Sequence, residues 1–204
     1  LLDLDLSRAR LQEMQRLLGR NLEFEPRRRA DAEFVFLAAR PDPARALRPQ
    51  LQFHHAGDLP VLASSHLFNG ERNPSRDRDL DGISFPDLPW LFDQAPDPDL
   101  SRDRLAASLP DFSQRLARFY AMGIDSYELV PHLARLRRNP GSGLDANTGQ
   151  LYLDELNQVH RRLTWVQFVD GSPQPAEAPT PPPLAPDAPT EEPNKPGNAS
   201  GETL

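Results

Sequence analysis

The sequence predicts an α/β fold organised around a parallel sheet, and three features predict it. Residues 34–39 form a short continuous apolar run, the pattern of a strand buried on both faces. Residues 60–67 form a second such run, and residues 44–55 between them carry helical spacing. Strand, helix and strand within about 35 residues make a βαβ unit, which needs a crossover and a parallel pairing.

From the start of the chain, Leu2, Leu4 and Leu6 alternate with Asp3 and Asp5 and predict a half-buried strand. Ser7 suits the N-cap of a helix in which Leu11, Met14, Leu17 and Leu18 share an apolar face, and Gly19 can end it. Pro41 and Pro43 break the first buried run. The helix over 44–55 should turn Leu47, Leu51 and His55 inward, with Pro49 near its first turn or at a kink. Ala56-Gly57-Asp58 is a turn before the second run.

Residues 69–100 are rich in Pro, Asp and Asn and hold one short strand, over 82–85. Pro110 and Asp111 suit the first turn of a long helix. In it Phe112, Leu116, Phe119, Tyr120, Tyr127, Val130 and Leu133 recur at helical spacing. Gly123 inside that pattern predicts close packing against another backbone. Asp125 and Glu128 have capping-box spacing, a place where the helix can break. Residues 149–168 read as a hairpin: Leu151 and Leu153 alternate outward and inward, 154–158 turn, and 159–168 return.

The last 34 residues behave differently. Residues 171–204 hold ten of the 23 prolines and few large apolar side chains, too little to offset the entropy of ordering. The expected division is a folded portion over 1–170 and a disordered, proline-rich acidic tail over 171–204. Of the overall charge of −7, the tail carries −4, so the folded portion is close to balanced at −3. That balance argues against nucleic acid as a partner, since Arg27, Arg28 and Arg29 make the only long basic run. The absence of cysteine excludes a disulfide framework, a thiolate nucleophile and a cysteine zinc site. No leader or membrane-length apolar run is visible, and the opening at Leu1 reads as the middle of a longer chain whose export signal lies upstream.

Candidate chemistry is sparse. Asp77-Arg78-Asp79-Leu80-Asp81-Gly82 matches the first half of a calcium loop, but the twelfth position is Leu88 where a bidentate Glu is needed. A polar turn before a strand explains it. Among His54, His55, His66, His132 and His160, no pair has the helical spacing of a zinc site with a companion Glu. His54 and His55 suit a helix end. Ser64-Ser65-His66 lacks the glycines of a nucleophile elbow. The two hydroxyls instead sit at the carboxyl end of a parallel strand, where α/β folds bind ligands. Trp90 and Trp165 are expected in the core. Gly141-Ser142-Gly143 precedes no helix start and is a loop. By spacing alone the chain is an α/β domain with an acidic tail and no catalytic residues, cofactor or metal site.

A series of collinear segments goes further. Phe24-Glu25-Pro26-Arg27-Arg28-Arg29, Phe36-Leu37-Ala38-Ala39-Arg40-Pro41 and Arg48-Pro49-Gln50-Leu51 resemble consecutive signatures of the LpoA (YraM-like) family of penicillin-binding-protein activators. So do Phe53-His54, Ala56-Gly57-Asp58-Leu59-Pro60-Val61, Arg78-Asp79-Leu80-Asp81-Gly82 and Asp87-Leu88-Pro89-Trp90. Ala121-Met122-Gly123-Ile124-Asp125, Thr148-Gly149-Gln150-Leu151 and Arg162-Leu163-Thr164-Trp165 complete the order. The resemblance covers residues 1–171. Pro86 and Leu88 depart from the family's usual neighbourhood of Asp87, and the long proline-rich tail is not a family hallmark.

The resemblance implies a type 1 periplasmic-binding-protein-like fold, present in part: the second lobe plus a portion of the first. Residues 1–67 would belong mostly to the second lobe, the helix from Pro110 would return to the first, and the closing hairpin would lie near the second. It further implies a non-catalytic lipoprotein, tethered to the outer membrane through an upstream lipid anchor and reaching through the periplasm. The partner would be a bifunctional penicillin-binding protein, stimulated allosterically, with peptidoglycan as a second contact. The alternative is a solute receptor binding an amino acid or small peptide in the inter-lobe cleft. Its candidate ligand residues are Ser64, Ser65, Asp125 and Tyr127.

Overall fold

The computed structural model describes residues 4–21 and 32–180. Leu1 to Asp3, the segment 22–31 with its arginine run, and 181–204 lie outside the described residues. The chain opens on helix α1 (Leu4–Leu18), not on a strand. Residues 4–6 already belong to it, so Ser7 lies inside the helix instead of capping it. Gly19, in the left-handed region at φ 62°, ends it as expected, with its N–H on the Gln15 carbonyl at 2.9 Å. The apolar stripe also forms, yet Leu6, Met14, Leu17 and Leu18 are all more than half exposed.

The βαβ unit is present. Strand β1 (Val35–Leu37), helix α2 (Pro41–Phe53) and strand β2 (Val61–Ala63) follow in order, and β1 pairs parallel with β2, Val35 opposite Val61. The strands are shorter than the apolar runs. β1 is an edge strand and not one buried on both faces, so Phe36 is 63% exposed on its outer side. Helix α2 begins three residues earlier than expected because Pro41 and Pro43 fall in its first turn, where N–H groups have no helical partner anyway. Ala44 is its buried contact. His54 is its C-cap, whereas His55 is exposed in the left-handed region and does not turn inward.

After one turn of helix, α3 (Pro74–Asp77), strand β3 (Ile83–Asp87) pairs parallel with β2. A short helix that the sequence did not announce follows, α4 (Arg102–Ser108). The long helix is α5 (Ala117–Leu129), continued after a tight turn by α6 (Leu133–Arg138). The break falls at Pro131, which has no N–H for the helical ladder, not at Asp125–Glu128. The buried face of α5 is made by Ala117, Ala121 and Asp125, so Phe119, Tyr127 and Val130 point outward. Ala117 and Ala121 sit in the core cluster itself, and Tyr120 and Ile124 of the same helix pack partly against it. Gly123 meets open space rather than a second backbone.

Strands β4 (Leu144–Ala146), β5 (Gly149–Leu153) and β6 (Val159–Arg162) form a small antiparallel sheet. Leu151 and Leu153 are both buried, as residues two apart on a strand must share a face. The return strand divides at Leu163. Its second half is β7 (Thr164–Val169), which crosses to the main sheet and pairs antiparallel with β3. Asp170 and Gly171, both at positive φ, then make a two-residue hairpin into β8 (Ser172–Pro175). The sheet, ordered β1-β2-β3-β7-β8, thus runs past the boundary expected at residue 170. Pro173 and Pro175 are compatible with β8 because it is an edge strand.

The core packs Phe68, Phe85, Phe92 and Phe168 together, with Phe85 stacked on Phe168 at 5.5 Å between ring centroids. Trp90 is fully buried and donates its indole N–H to the Leu100 carbonyl at 2.8 Å. Trp165 is only half-buried.

Candidate functional site

The carboxyl ends of β1 and β2 open on a cleft of about 940 Å³, whose lining also includes Arg115 and Arg118. Its walls are held by two arginine–aspartate pairs, each joining a helix to the residues beside the sheet. On one side Arg45 of α2 binds Asp77, with Nη2 at 2.6 Å and Nε at 3.0 Å from Oδ1. Asp77 is almost fully buried and also accepts the Asn73 backbone N–H at 3.1 Å. On the other side Arg118 of α5 grips both carboxylate oxygens of Asp87 at the end of β3. Its Nη2 also donates to the carbonyls of Phe68 at 2.8 Å and Ser65 at 3.2 Å.

Asp87 is 1% exposed, and burial pushes its carboxyl above the ordinary carboxylate range. The guanidinium of Arg118 pulls it part of the way back, as does the Leu88 N–H at 2.9 Å. The desolvation of a buried carboxylate here exceeds what one partly exposed cation returns. A smaller hollow of about 210 Å³ adjoins this pair, bounded on its far side by Phe119, Met122 and Leu163.

Of the residues expected to bind a ligand, only Ser65 lines the cleft. Ser64 precedes the tight turn Ser65–Leu67 and makes no capping bond with its hydroxyl. Asp125 is buried and fully engaged, accepting from Asn147 N at 2.8 Å, Asn147 Nδ2 at 3.0 Å and Thr148 N at 2.7 Å. Tyr127 is 84% exposed and faces a separate open hollow beside Glu128, Val130 and His132. The four do not converge. Two of the three calcium-loop carboxylates are likewise occupied with folding: Asp77 holds Arg45, and Asp81 accepts the Gly171 N–H at 2.8 Å. Among the described residues no group of three or more His, Asp or Glu is placed to hold a metal ion.

The local sequence pattern does not reveal the two pairs beside the cleft, Arg45–Asp77 and Arg118–Asp87. The sequence pattern puts Asp77 in a loop and Asp87 beside an apolar run. An aspartate next to Leu88-Pro89-Trp90 was a usable signal, since a carboxylate flanked by core residues needs a cation. Which of the basic residues supplies it depends on the path of α5, and the pattern placed the wrong face of that helix inward.

A parallel three-stranded core widened by antiparallel strands, with a cleft at the strand ends, defines an open-sheet α/β protein, and its solved neighbours place it in the periplasmic-binding-protein-like class. The comparisons agree. The structure matches the LpoA (YraM) C-domain from Haemophilus influenzae, described as a regulator of PBP1A, with a TM-score of 0.60 and 25% identity over 84% of this chain and 57% of that one. It also matches a Chromobacterium violaceum protein described as "a putative branched-chain amino acid ABC transporter", with a TM-score of 0.50 and 27% identity over 79% of this chain and 54% of that one. A penicillin-binding protein activator LpoA from Vibrio vulnificus is 31% identical over 162 residues, 78% of this chain. The chain spans about a quarter of that relative's length, 26%. The family model described as "LppC putative lipoprotein" matches residues 1–171. The chain belongs to this LppC lipoprotein family.

Proposed function

We propose that this chain is the C-terminal portion of a cell-envelope lipoprotein that binds a bifunctional penicillin-binding protein and stimulates its peptidoglycan synthesis. The observation that carries this reading is the family match over residues 1–171 together with the fold shared with the LpoA C-domain. The protein acts without catalysis of its own, and the relatives it matches are named activators and regulators. Activation is allosteric: docking favours the more active synthase conformation by the difference in contact free energy between two states. Residues 1–175 supply part of the periplasmic-binding-protein-like domain, and the longer protein is tethered to the outer membrane and works in the periplasm. A solute receptor built on Ser64, Ser65, Asp125 and Tyr127 is not favoured, because these residues lie apart.

The test is cross-linking by the cognate bifunctional synthase, with and without the full-length protein, alongside direct binding. Saturable binding with raised cross-linking supports the reading. A folded protein that neither binds nor stimulates ends it.

A further inference from the structure

The cleft at the strand ends has a charge pattern that the docking reading does not use. Five arginines line it, Arg40, Arg45, Arg76, Arg115 and Arg118, against two acidic residues, Asp42 and Glu71. The arginines fall into two kinds. Arg45 and Arg118 are 15% and 34% exposed and held in place by the buried carboxylates of Asp77 and Asp87. Arg76 shares the exposed carboxylate of Asp42 at 3.1 Å. Arg40 and Arg115 make no ion pair among the described residues, although both line the same cavity. Two unneutralised guanidinium groups therefore face a space already walled by fixed ones. His66 and the Ser65 hydroxyl add donors at the carboxyl end of β2.

Arg45, Arg76 and Arg118 are matched by Asp77, Asp42 and Asp87, so the surplus positive charge lies at Arg40 and Arg115, where an entering oxyanion can accept from both forks. The cavity volume lies within the roughly 300–1,000 Å³ of small-molecule sites. The cleft also occupies the crevice beyond the carboxyl ends of parallel strands, where open α/β sheets bind ligands.

We infer that this cleft is a binding site for a small molecule bearing two or more oxyanion groups, held by Arg40 and Arg115 over a floor fixed by Arg45 and Arg118. The shared chemistry is a cluster of carboxylates or of phosphates. This goes beyond the docking reading and does not rest on it, since the synthase can bind elsewhere on the surface.

The test is calorimetry on the full chain at low ionic strength, with citrate and pyrophosphate as probes and leucine as control. Saturable binding of at least one anion is expected, with none of leucine. Affinity should fall at least tenfold in Arg115→Ala and in Arg40→Ala, and again when salt is raised to about 0.5 M. Tighter binding of citrate assigns the site to carboxylates, and tighter binding of pyrophosphate assigns it to phosphates. Arg115→Glu, with circular dichroism as the folding control, repeats the test by charge reversal. No heat with either anion, or affinities unchanged in all three variants, overturns the inference. Synthase binding measured on the same variants separates its failure from that of the docking reading.

Discussion

Arg118 on α5 holds the buried carboxylate of Asp87 at the end of β3, a link across 31 residues of sequence that ties the helix to the sheet edge of the cleft. The same guanidinium closes the carbonyls of Ser65 and Phe68. One side chain thus positions the ends of two neighbouring strands relative to a helix.

The first prediction concerns the pH dependence of that link. Because burial raises the folded-state pKa of Asp87 above its value of 3.8 in the unfolded chain, its ionised form disfavours folding. The penalty is absent below the unfolded pKa, grows as pH rises through the folded pKa, and is complete above it. Removing Arg118 takes away the two largest influences that lower the pKa, leaving the Leu88 N–H and His66, so Arg118→Ala should carry a larger penalty at neutral pH than at pH 4. A loss of about 2 kcal/mol is expected at pH 7, at the low end for a broken buried pair because Arg118 is partly exposed. Adding Asp87→Asn should restore part of it by removing the stranded charge. Urea unfolding of the three variants at both pH values checks this, and a pH-independent loss would count against it.

The second concerns Asp125, whose place in the structure differs from its place in the sequence pattern. Three donors of the turn Asn147–Thr148 depend on its carboxylate. Asp125→Ala should cost about 4 kcal/mol by leaving buried N–H groups unpaired. Asp125→Asn should cost about 2 kcal/mol, since its amide keeps one acceptor and sets a donor against the other N–H. Denaturant midpoints report both, and a ligand-binding defect with unchanged stability would contradict the structural role.

These cases show how much could be read in advance. The βαβ unit was legible because period and breakers agreed locally: two apolar runs, a helical stretch between them, and prolines at a helix start. The α5 face was not, because Phe119 and Tyr127 outweigh Ala117 and Ala121 in any apolar pattern, yet the two alanines are the residues in the core. The arginine partners of Asp77 and Asp87 lie 32 and 31 residues away, and no local spacing encodes that distance. The Asp170-Gly171 hairpin signal was present but lost in the proline-rich composition that follows it.

A third prediction addresses the β5–β6 turn. Asp154 accepts from the N–H groups of Leu156 at 2.9 Å and Gln158 at 2.8 Å, and its Oδ2 lies 2.8 Å from Nε2 of His160. These contacts, the histidine first, hold its carboxyl below 3.8. A depressed carboxylate contributes stability above its unfolded pKa and loses it as pH falls through the folded one. In His160→Ala the pKa should move back toward 3.8 without reaching it, because the two backbone donors remain. Carboxyl-carbon NMR titration follows the shift directly, and an unchanged pKa would remove His160 from the account.

The last prediction separates two glycines that pattern reasoning treats alike. At Gly171 the backbone is left-handed, φ 70°, and an added Cβ would stand 2.1 Å from the Pro74 carbonyl oxygen. Neither atom can step aside, because the oxygen is backbone and the Gly171 N–H is held by Asp81. Gly171→Ala should therefore destabilise by about 3 kcal/mol through combined strain and steric conflict. At Gly123 the helix is right-handed and an added Cβ meets nothing within 4 Å. Gly123→Ala should stabilise by about 0.5–1 kcal/mol, by lowering the entropy of the unfolded chain. Ending the chain after Asp170 should act like Gly171→Ala, since both undock β8 from β7 and uncover Val166 and Phe168. Thermal unfolding of the three variants reads all these effects. A neutral Gly171→Ala together with a neutral truncation would place residues 171–175 back in the tail, outside the sheet.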